Sequence, residues 1–424
     1  MNTSYAAYGA LTRLAGRMAV IAAHGSRPLR VVLDERARSQ AAIAAWCKAH
    51  RDHACPLLLF HAASAGELRQ AEPVVRRIRA RHPDWQIAIT TFSLSGAPVA
   101  AELPADVVGL LPWDTHAGVT AFLETLAPSA IVVSKLDLWP MLARVAVARG
   151  IRLGLIAGTV RTRSTRLRWP ASMVLPQAYA ALDVVAAVAP EDARRLESLG
   201  VRPDRIVITG DPRYDAVLER ISEAPAPIRD DATLVAGSTW PRDEEVLLLA
   251  FRAVRRISPT ARLVIAPHRP SRQALARIAA LARRLGLPAA RPLSEAGVVD
   301  RLVVVESVGS LAFLYGSGVI AYVGGGFGKA GLHSVLEPAA WGVPVIAGPS
   351  AGESPDALRL ANAHALERLP AQDPAGALER AWTWWLDKPG PRDQAGAAAL
   401  RMVRESIGAA DRTADLIEGL LRND

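Results

Sequence analysis

Aromatic residues make up only 5% of this 424-residue chain, and Lys48, Lys135, Lys329 and Lys388 are its only lysines. There is no basic low-complexity tail and no basic motif with interleaved aromatics, so nucleic acid is not an expected partner. Cys47 and Cys55 are the only cysteines, which rules out a disulfide framework and leaves reduced thiols as the simpler expectation. The nine histidines are scattered, with neither HxxxH nor cysteine–histidine spacing, so no metal site is expected. A GxSxG elbow and a P-loop lysine motif are both missing, which removes the corresponding hydrolase and NTPase readings. No run is long and apolar enough for a transmembrane helix, which needs about 20 such residues; Tyr5–Ala23 is the exception to examine.

What the chain has is length, apolar content and arginine. Half of its residues are hydrophobic and it is too long for one core, so two domains are expected. The net charge of +9 rests almost wholly on arginine and suits acidic ligands such as phosphates, anionic sugars or an anionic membrane surface. Residues 1–50 form a leading segment in which Leu11, Leu14, Met18 and Ile21 recur at helical spacing, with Arg13 and Arg17 on the other side. Such a helix either lies on a membrane or docks on the protein, and both readings stay open.

From Pro56 onward, short apolar runs alternate with helical stretches. The strands read from the pattern are 56–60, 86–91, 107–111, 130–133, 153–157, 184–188 and 206–208. After Glu223–Asp231, whose prolines disfavour helix and strand, come 233–237, 263–267, 302–306, 319–323 and 343–347. Domains are therefore expected at 51–222 and 232–424, joined by a linker at 223–231, with the C-terminal helices in the second. The fold class is α/β: two Rossmann-like, doubly wound domains with a cleft between the carboxyl ends of their sheets, the GT-B arrangement of nucleotide-sugar enzymes.

The stretch Tyr322–Pro349 carries the sharpest signal. An apolar run breaks into Gly324-Gly325-Gly326, passes Lys329 and Gly331, and re-enters a helical pattern expected from Leu332. A strand, a glycine turn and a helix start leave backbone N–H groups open to a phosphate. His333 and Glu337 would share a helix face, with the carboxylate suited to a ribose diol. The bland alternative is a tight turn whose glycines serve packing.

Other candidates follow strand ends. Glu67, three residues after Ser64, fits a capping box, which spacing alone favours; as a catalyst it would be a general base. Arg161, Arg163, Arg166 and Arg168 form either a solvated face or a grip on an anionic group. Ser238 and Thr239 precede a helix as an N-cap that can also donate to a phosphate. His268 and Arg269 are either a surface turn or contacts to a nucleotide.

Taken together these residues resemble the 3-deoxy-D-manno-octulosonic acid (Kdo) transferases. His61-Ala62-Ala63-Ser64-Ala65-Gly66-Glu67 is close to the family's HAASVGE, Leu138-Trp139-Pro140 to the end of its ELWP, and Gly237-Ser238-Thr239 to its AGST. Gly210-Asp211-Pro212-Arg213-Tyr214-Asp215 is similar to GDTRFD, and His333–Pro338 to HNPLEP. The resemblance implies a metal-independent inverting GT-B enzyme, peripheral to the cytoplasmic side of a bacterial inner membrane. Its donor substrate would be CMP-Kdo and its acceptor an anionic lipid A precursor. It implies Glu67 as the base, with Ser64, Gly66, Asp137, Arg161 and Arg163 on the acceptor side. On the donor side it implies Ser238, Thr239, His268, Arg269, Gly324–Gly326, Lys329, His333, Ser334 and Glu337. The family's ETELWP reads Lys135-Leu136-Asp137-Leu138-Trp139-Pro140 here, its NARLSERS reads Ala157–Ser164, and its PRHPE reads Pro267–Ser271. Alternatives are another GT-B nucleotide-sugar enzyme, or a non-catalytic member that binds nucleotide-sugar or glycolipid.

Overall fold

A computed structural model describes residues 3–160, 164–169, 171–328 and 331–422; Arg161, Arg163 and Lys329 lie outside them. The chain divides into two compact units, 1–216 with 407–424, and 217–406.

The first unit is built on seven parallel strands: β1 Leu57–Ala62, β2 Gln86–Thr91, β3 Val107–Leu110, β4 Ala130–Ser134, β5 Arg152–Gly158, β6 Val184–Ala187 and β7 Ile206–Ile208. Their order is β3-β2-β1-β4-β5-β6-β7, so the winding reverses between β1 and β4. Leu57, Leu59, Ile131 and Val133 face one apolar cluster; Leu58, Phe60, Ala130 and Val132 face another. Helices cover both faces, which is why these strands read as continuous apolar runs rather than alternations.

Residues 1–50 form two helices, Thr3–Ala23 and Arg27–His50. Arg36, Ser39, Gln40 and Ile43 recur at i, i+3, i+4 and i+7 and share the face of the second helix that meets β3. Ser39 Oγ accepts the Leu110 N–H at 2.6 Å and Gln40 donates to the Leu110 carbonyl.

The second unit carries β8 Thr233–Thr239, β9 Arg262–Pro267, β10 Ala290–Pro292, β11 Leu302–Val304, β12 Ile320–Val323, β13 Val345–Ala347 and β14 Leu366–Arg368. All pair in parallel, in the order β10-β11-β9-β8-β12-β13-β14, and the reversal falls between β8 and β12. The edge strands β10 and β14 were not expected: each has three residues, and exposed Arg291, Glu367 and Arg368 interrupt any apolar run.

Two boundaries differ from the sequence reading. The first unit ends within the helix Arg213–Ser222, and the segment expected as a linker belongs to the second unit. There Asp230 takes the Thr233 hydroxyl at 2.7 Å and its own N–H donates to the Ser317 carbonyl. The last helix, Ala409–Arg422, packs on the first sheet and not the second. Its Ala410, Ala414, Ile417 and Leu420 complete the Leu58–Phe60 core face. Asp215 accepts the Gly408 and Ala410 N–H groups, and Arg81 pairs with Asp411, Asp415 and Glu418.

Candidate active site

In each sheet the described residues singled out from the sequence follow the carboxyl ends of strands at or beside the reversal, where open α/β sheets bind ligands. In the first sheet these are the turns after β1 and β4. His61, at the end of β1, is buried; its Nδ1 lies 3.1 Å from the Thr90 carbonyl and its Nε2 lies 2.9 Å from Asp137 Oδ2. Ser134 Oγ donates to the Glu67 carbonyl at 3.0 Å, and Tyr179 donates to the Leu136 carbonyl at 2.8 Å. Burial pushes the Tyr179 phenol up to about 12, so it remains a donor.

Glu67 is half-buried in the first turn of the helix Ala65–Arg81, and one carboxylate oxygen accepts the Ala63 N–H at 2.9 Å. The expected capping box does not form. Ser64 makes no side-chain cap, and the carboxylate reaches one residue further back than the box requires. Ser64 is half-buried and Gly66 exposed beside it. Asp137, expected to meet an acceptor, is 6% exposed and engaged with His61, so it ties the two turns together instead of facing outward. Arg166 stands 4.0 Å from its other oxygen. Lys135 is half-buried, with its backbone N–H donating to the Ile156 carbonyl.

One residue the sequence reading missed braces this end. Arg36, 4% exposed, donates to the carbonyls of Leu111 and, at 2.9 Å, Phe92. Its guanidinium lies 4.7 Å from the Phe92 ring centre and 5.1 Å from that of Trp113, while Trp139 stacks on Phe92. Its place in the Arg36–Ile43 stripe was the available signal. Asp114 accepts the Tyr8 hydroxyl at 2.8 Å and the Met141 and Leu142 N–H groups at 2.9 Å, which fastens the N-terminal helix to the start of the helix Pro140–Ala148. That helix therefore docks through Tyr5 and Tyr8, while Leu11, Leu14, Met18, Val20 and Ile21 are all exposed beyond half. Among the described residues, no helix is long and apolar enough to cross a membrane.

In the second sheet the turns after β8 and β12 meet. Asp243, 1% exposed, accepts the Trp240 N–H at 2.8 Å, the Gly325 N–H at 3.0 Å and the Tyr322 hydroxyl at 2.7 Å. Three donors on one carboxylate offset the cost of removing it from water. The Gly324 N–H donates to the Gly237 carbonyl. Two of the three glycine amides are thus already engaged, which narrows the expectation that this turn leaves backbone N–H groups open to a phosphate. The packing reading explains the glycines directly. A Cβ on Gly324 would sit 2.4 Å from the Ser238 carbonyl, and one on Gly326 would sit 2.6 Å from Gly348. Gly325 has φ +91°, a region side chains rarely adopt.

The helix after this turn starts at Leu336, not Leu332, so His333 and Glu337 do not share a helix face. His333 comes instead from irregular chain and meets Trp240 and His268; exposed Arg269 follows His268. Trp240 was not singled out from the sequence. Ser334 is exposed, with Oγ accepting the Leu336 N–H at 3.3 Å, and Glu337 is half-buried in the first turn of Leu336–Ala340. Among the described residues, no three His, Cys, Asp or Glu side chains converge as metal ligands would.

Both sheets distort near these ends in the same way. One extra residue bulges β5 against β6 and β8 against β9, and the left-handed residues Ala157 (φ 51°) and Ser238 (φ 54°) lie at the two places. Lys135, just after β4, is also left-handed at φ 58°. Such conformations cost about 1–3 kcal/mol each and cluster where chain must be re-aimed for function.

Residues 33–216 match the family described as 3-Deoxy-D-manno-octulosonic-acid transferase (kdotransferase). The 3-deoxy-D-manno-octulosonic acid transferase of Haemophilus influenzae is 27% identical over 377 residues, covering 87% of this chain and 88% of that protein. That of Bordetella pertussis is 28% identical over 378 residues, covering 85% and 86%. The "probable 3-deoxy-D-manno-octulosonic acid transferase, mitochondrial" of Arabidopsis thaliana is 30% identical over 314 residues, covering 70% and 69%. Among solved structures, a UDP-GlcNAc 2-epimerase of Neisseria meningitidis bound to UDP-GlcNAc superposes with a TM-score of 0.61 at 16% identity, covering 87% of this chain and all of that one. It shares the GT-B-like fold. With the switch-point motifs in place on two such sheets, the chain belongs to the 3-deoxy-D-manno-octulosonic acid transferase family.

Proposed function

We propose that the chain transfers Kdo from CMP-Kdo to a hydroxyl of a lipid A-type precursor, with inversion and without a metal ion. The observation that carries this beyond family membership is Glu67: a carboxylate at the first sheet's switch point, held by one N–H and still half-exposed. A general base must reach the proton it removes while keeping one oxygen oriented, and this arrangement meets both needs. Glu67 takes the acceptor proton as the hydroxyl oxygen attacks the anomeric carbon. The bond to the CMP phosphate breaks on the opposite side and its electron pair leaves with CMP.

The donor nucleotide lies against the second sheet's switch point, among Ser238, Thr239, His268, Arg269, His333, Ser334 and Glu337. The Gly326 N–H has no backbone partner among the described residues, so it is the glycine amide able to meet a phosphate. Lys329, Arg161 and Arg163 are further candidates for anionic contacts. The exposed stripe Leu11–Ile21 lies in a lipid surface, where burying each large side chain is worth about 1.5–3 kcal/mol. Sedimentation with anionic vesicles, weakened by Leu14→Glu, checks that placement.

The deciding experiment is transfer of labelled Kdo from CMP-Kdo to a lipid A precursor, in excess EDTA, with thermal shifts by CMP and UDP in parallel. Product formation and a shift with CMP alone are expected. Stabilisation by UDP but not CMP would sink the donor assignment, and donor binding with no product would establish a non-catalytic member.

A further inference from the structure

Three rings from three separate turns meet beside the glycine corner. Trp240 Nε1–H donates to His333 Nε2 at 3.0 Å, with the ring planes 11° apart and their centres 6.4 Å apart. The two rings therefore lie edge to edge in nearly one plane. His268 lies across this pair, 4.7 Å from the indole centre and 4.5 Å from the imidazole centre. Trp240 is itself anchored by its backbone N–H on buried Asp243, which also holds Gly325.

An indole nitrogen can only donate, so the imidazole nitrogen facing it carries no proton. Neutral His333 must then carry its proton on Nδ1, which has no hydrogen-bond partner among the described residues. We infer that Trp240 is a positioning residue that locks His333 in its Nδ1–H tautomer, so that this half-buried ring presents one fixed neutral donor to an anionic oxygen of the nucleotide-sugar. This role rests on the donor reading of the second sheet.

The groups facing His333 agree with a neutral ring. His268 and Arg269 follow β9 and Asp243 lies on the helix Pro241–Ile257. Burial, and then His268, lower the His333 pKa, with Asp243 opposing; burial, and then Arg269, lower that of His268. A proton on Nε2 would also set two donors against each other and break the Trp240 bond.

The test uses the full chain with imidazole ¹⁵N spectra and CMP calorimetry. The wild type should show a single Nδ1–H tautomer at His333. Trp240→Phe keeps a ring but no N–H; it should give mixed tautomers, a raised His333 pKa and CMP binding weaker by roughly tenfold. His333→Asn places an amide nitrogen where Nδ1 stands and should hold CMP within about threefold, whereas His333→Gln should not. An Nε2–H tautomer in the wild type, or an unchanged tautomer in Trp240→Phe, overturns the lock. Mixed tautomers with unchanged CMP affinity overturn the donor role alone. No CMP binding to the wild type, with the tautomer intact, overturns the donor reading beneath it.

Discussion

The two switch points occupy the same place in two parallel seven-stranded sheets, yet they are made from opposite materials. At β1/β4 the turns are joined by side chains, His61 on Asp137 and Ser134 on the Glu67 backbone, while Arg36 braces the neighbouring turns after β2 and β3. A half-exposed carboxylate remains. At β8/β12 the turns are joined by backbone approaching backbone, with glycines where any Cβ would collide and one buried aspartate gathering three donors. Rings and exposed polar residues remain. The contrast suits a division of labour. Proton removal needs a carboxylate held but not neutralised, whereas binding an already anionic leaving group needs hydrogen-bond donors aimed at it.

Five measurements break or sharpen this comparison. Glu67→Gln should lower kcat by about 10²–10⁴-fold, the range of a lost general base, while CMP affinity stays within error; turnover near wild type removes the catalytic half of the contrast. Gly326→Ala should cost about 1–3 kcal/mol in urea unfolding, because its Cβ meets Gly348 backbone at 2.6 Å and neither chain can yield cheaply. Gly66→Ala is the control at the other site: its Cβ meets nothing within 4 Å, so stability should hold or rise by up to about 1 kcal/mol. Equal losses at both glycines would erase the distinction between backbone-packed and side-chain-packed turns.

Asp137→Asn should cost about 1–3 kcal/mol in urea unfolding by leaving buried His61 without its charged partner. Smallest is the pH response of the second unit. His268 and His333 are both held below 6.5 in the fold. Their contribution is therefore complete above about 6.5, the unfolded value. As pH falls below that, the unfolded chain takes up protons first, so stability declines until the folded pKa values are passed and then levels off. Trp240→Phe should shrink this decline, as read from urea midpoints between neutral and mildly acid pH.

Most inner strands could be read from the sequence because burial on both faces makes them uninterrupted apolar runs, as in Leu57–Phe60 and Ile320–Val323. The edge strands β10 and β14 could not, since exposed Arg291, Glu367 and Arg368 break the apolar run, whereas the equally short edge strand β7 keeps Ile206–Ile208 unbroken. The helix Ala409–Arg422 was legible as a helix but not as part of the first unit. Its apolar periodicity does not name a sheet, and the polar contacts that fix it on the first, those of Asp215 and Arg81 among them, come from distant parts of the chain. Glu67 was visible as a first-turn carboxylate. Asp137 looked equally available, and its burial depends on His61, 76 residues away.

What the order of residues determined alone is local: which runs form strands and helices, where glycine is required, and which family the motifs resemble. Those properties depend on backbone sterics and apolar periodicity over a few neighbouring positions. The tertiary structure decided which polar groups are engaged and which remain open. It turned Asp137 inward, occupied two glycine amides and brought Trp240 to His333, 93 positions along the chain. Hydrogen bonds and desolvation act across a few ångströms of space, and neighbours at that range are chosen by how the turns close over the sheet, not by their distance in sequence.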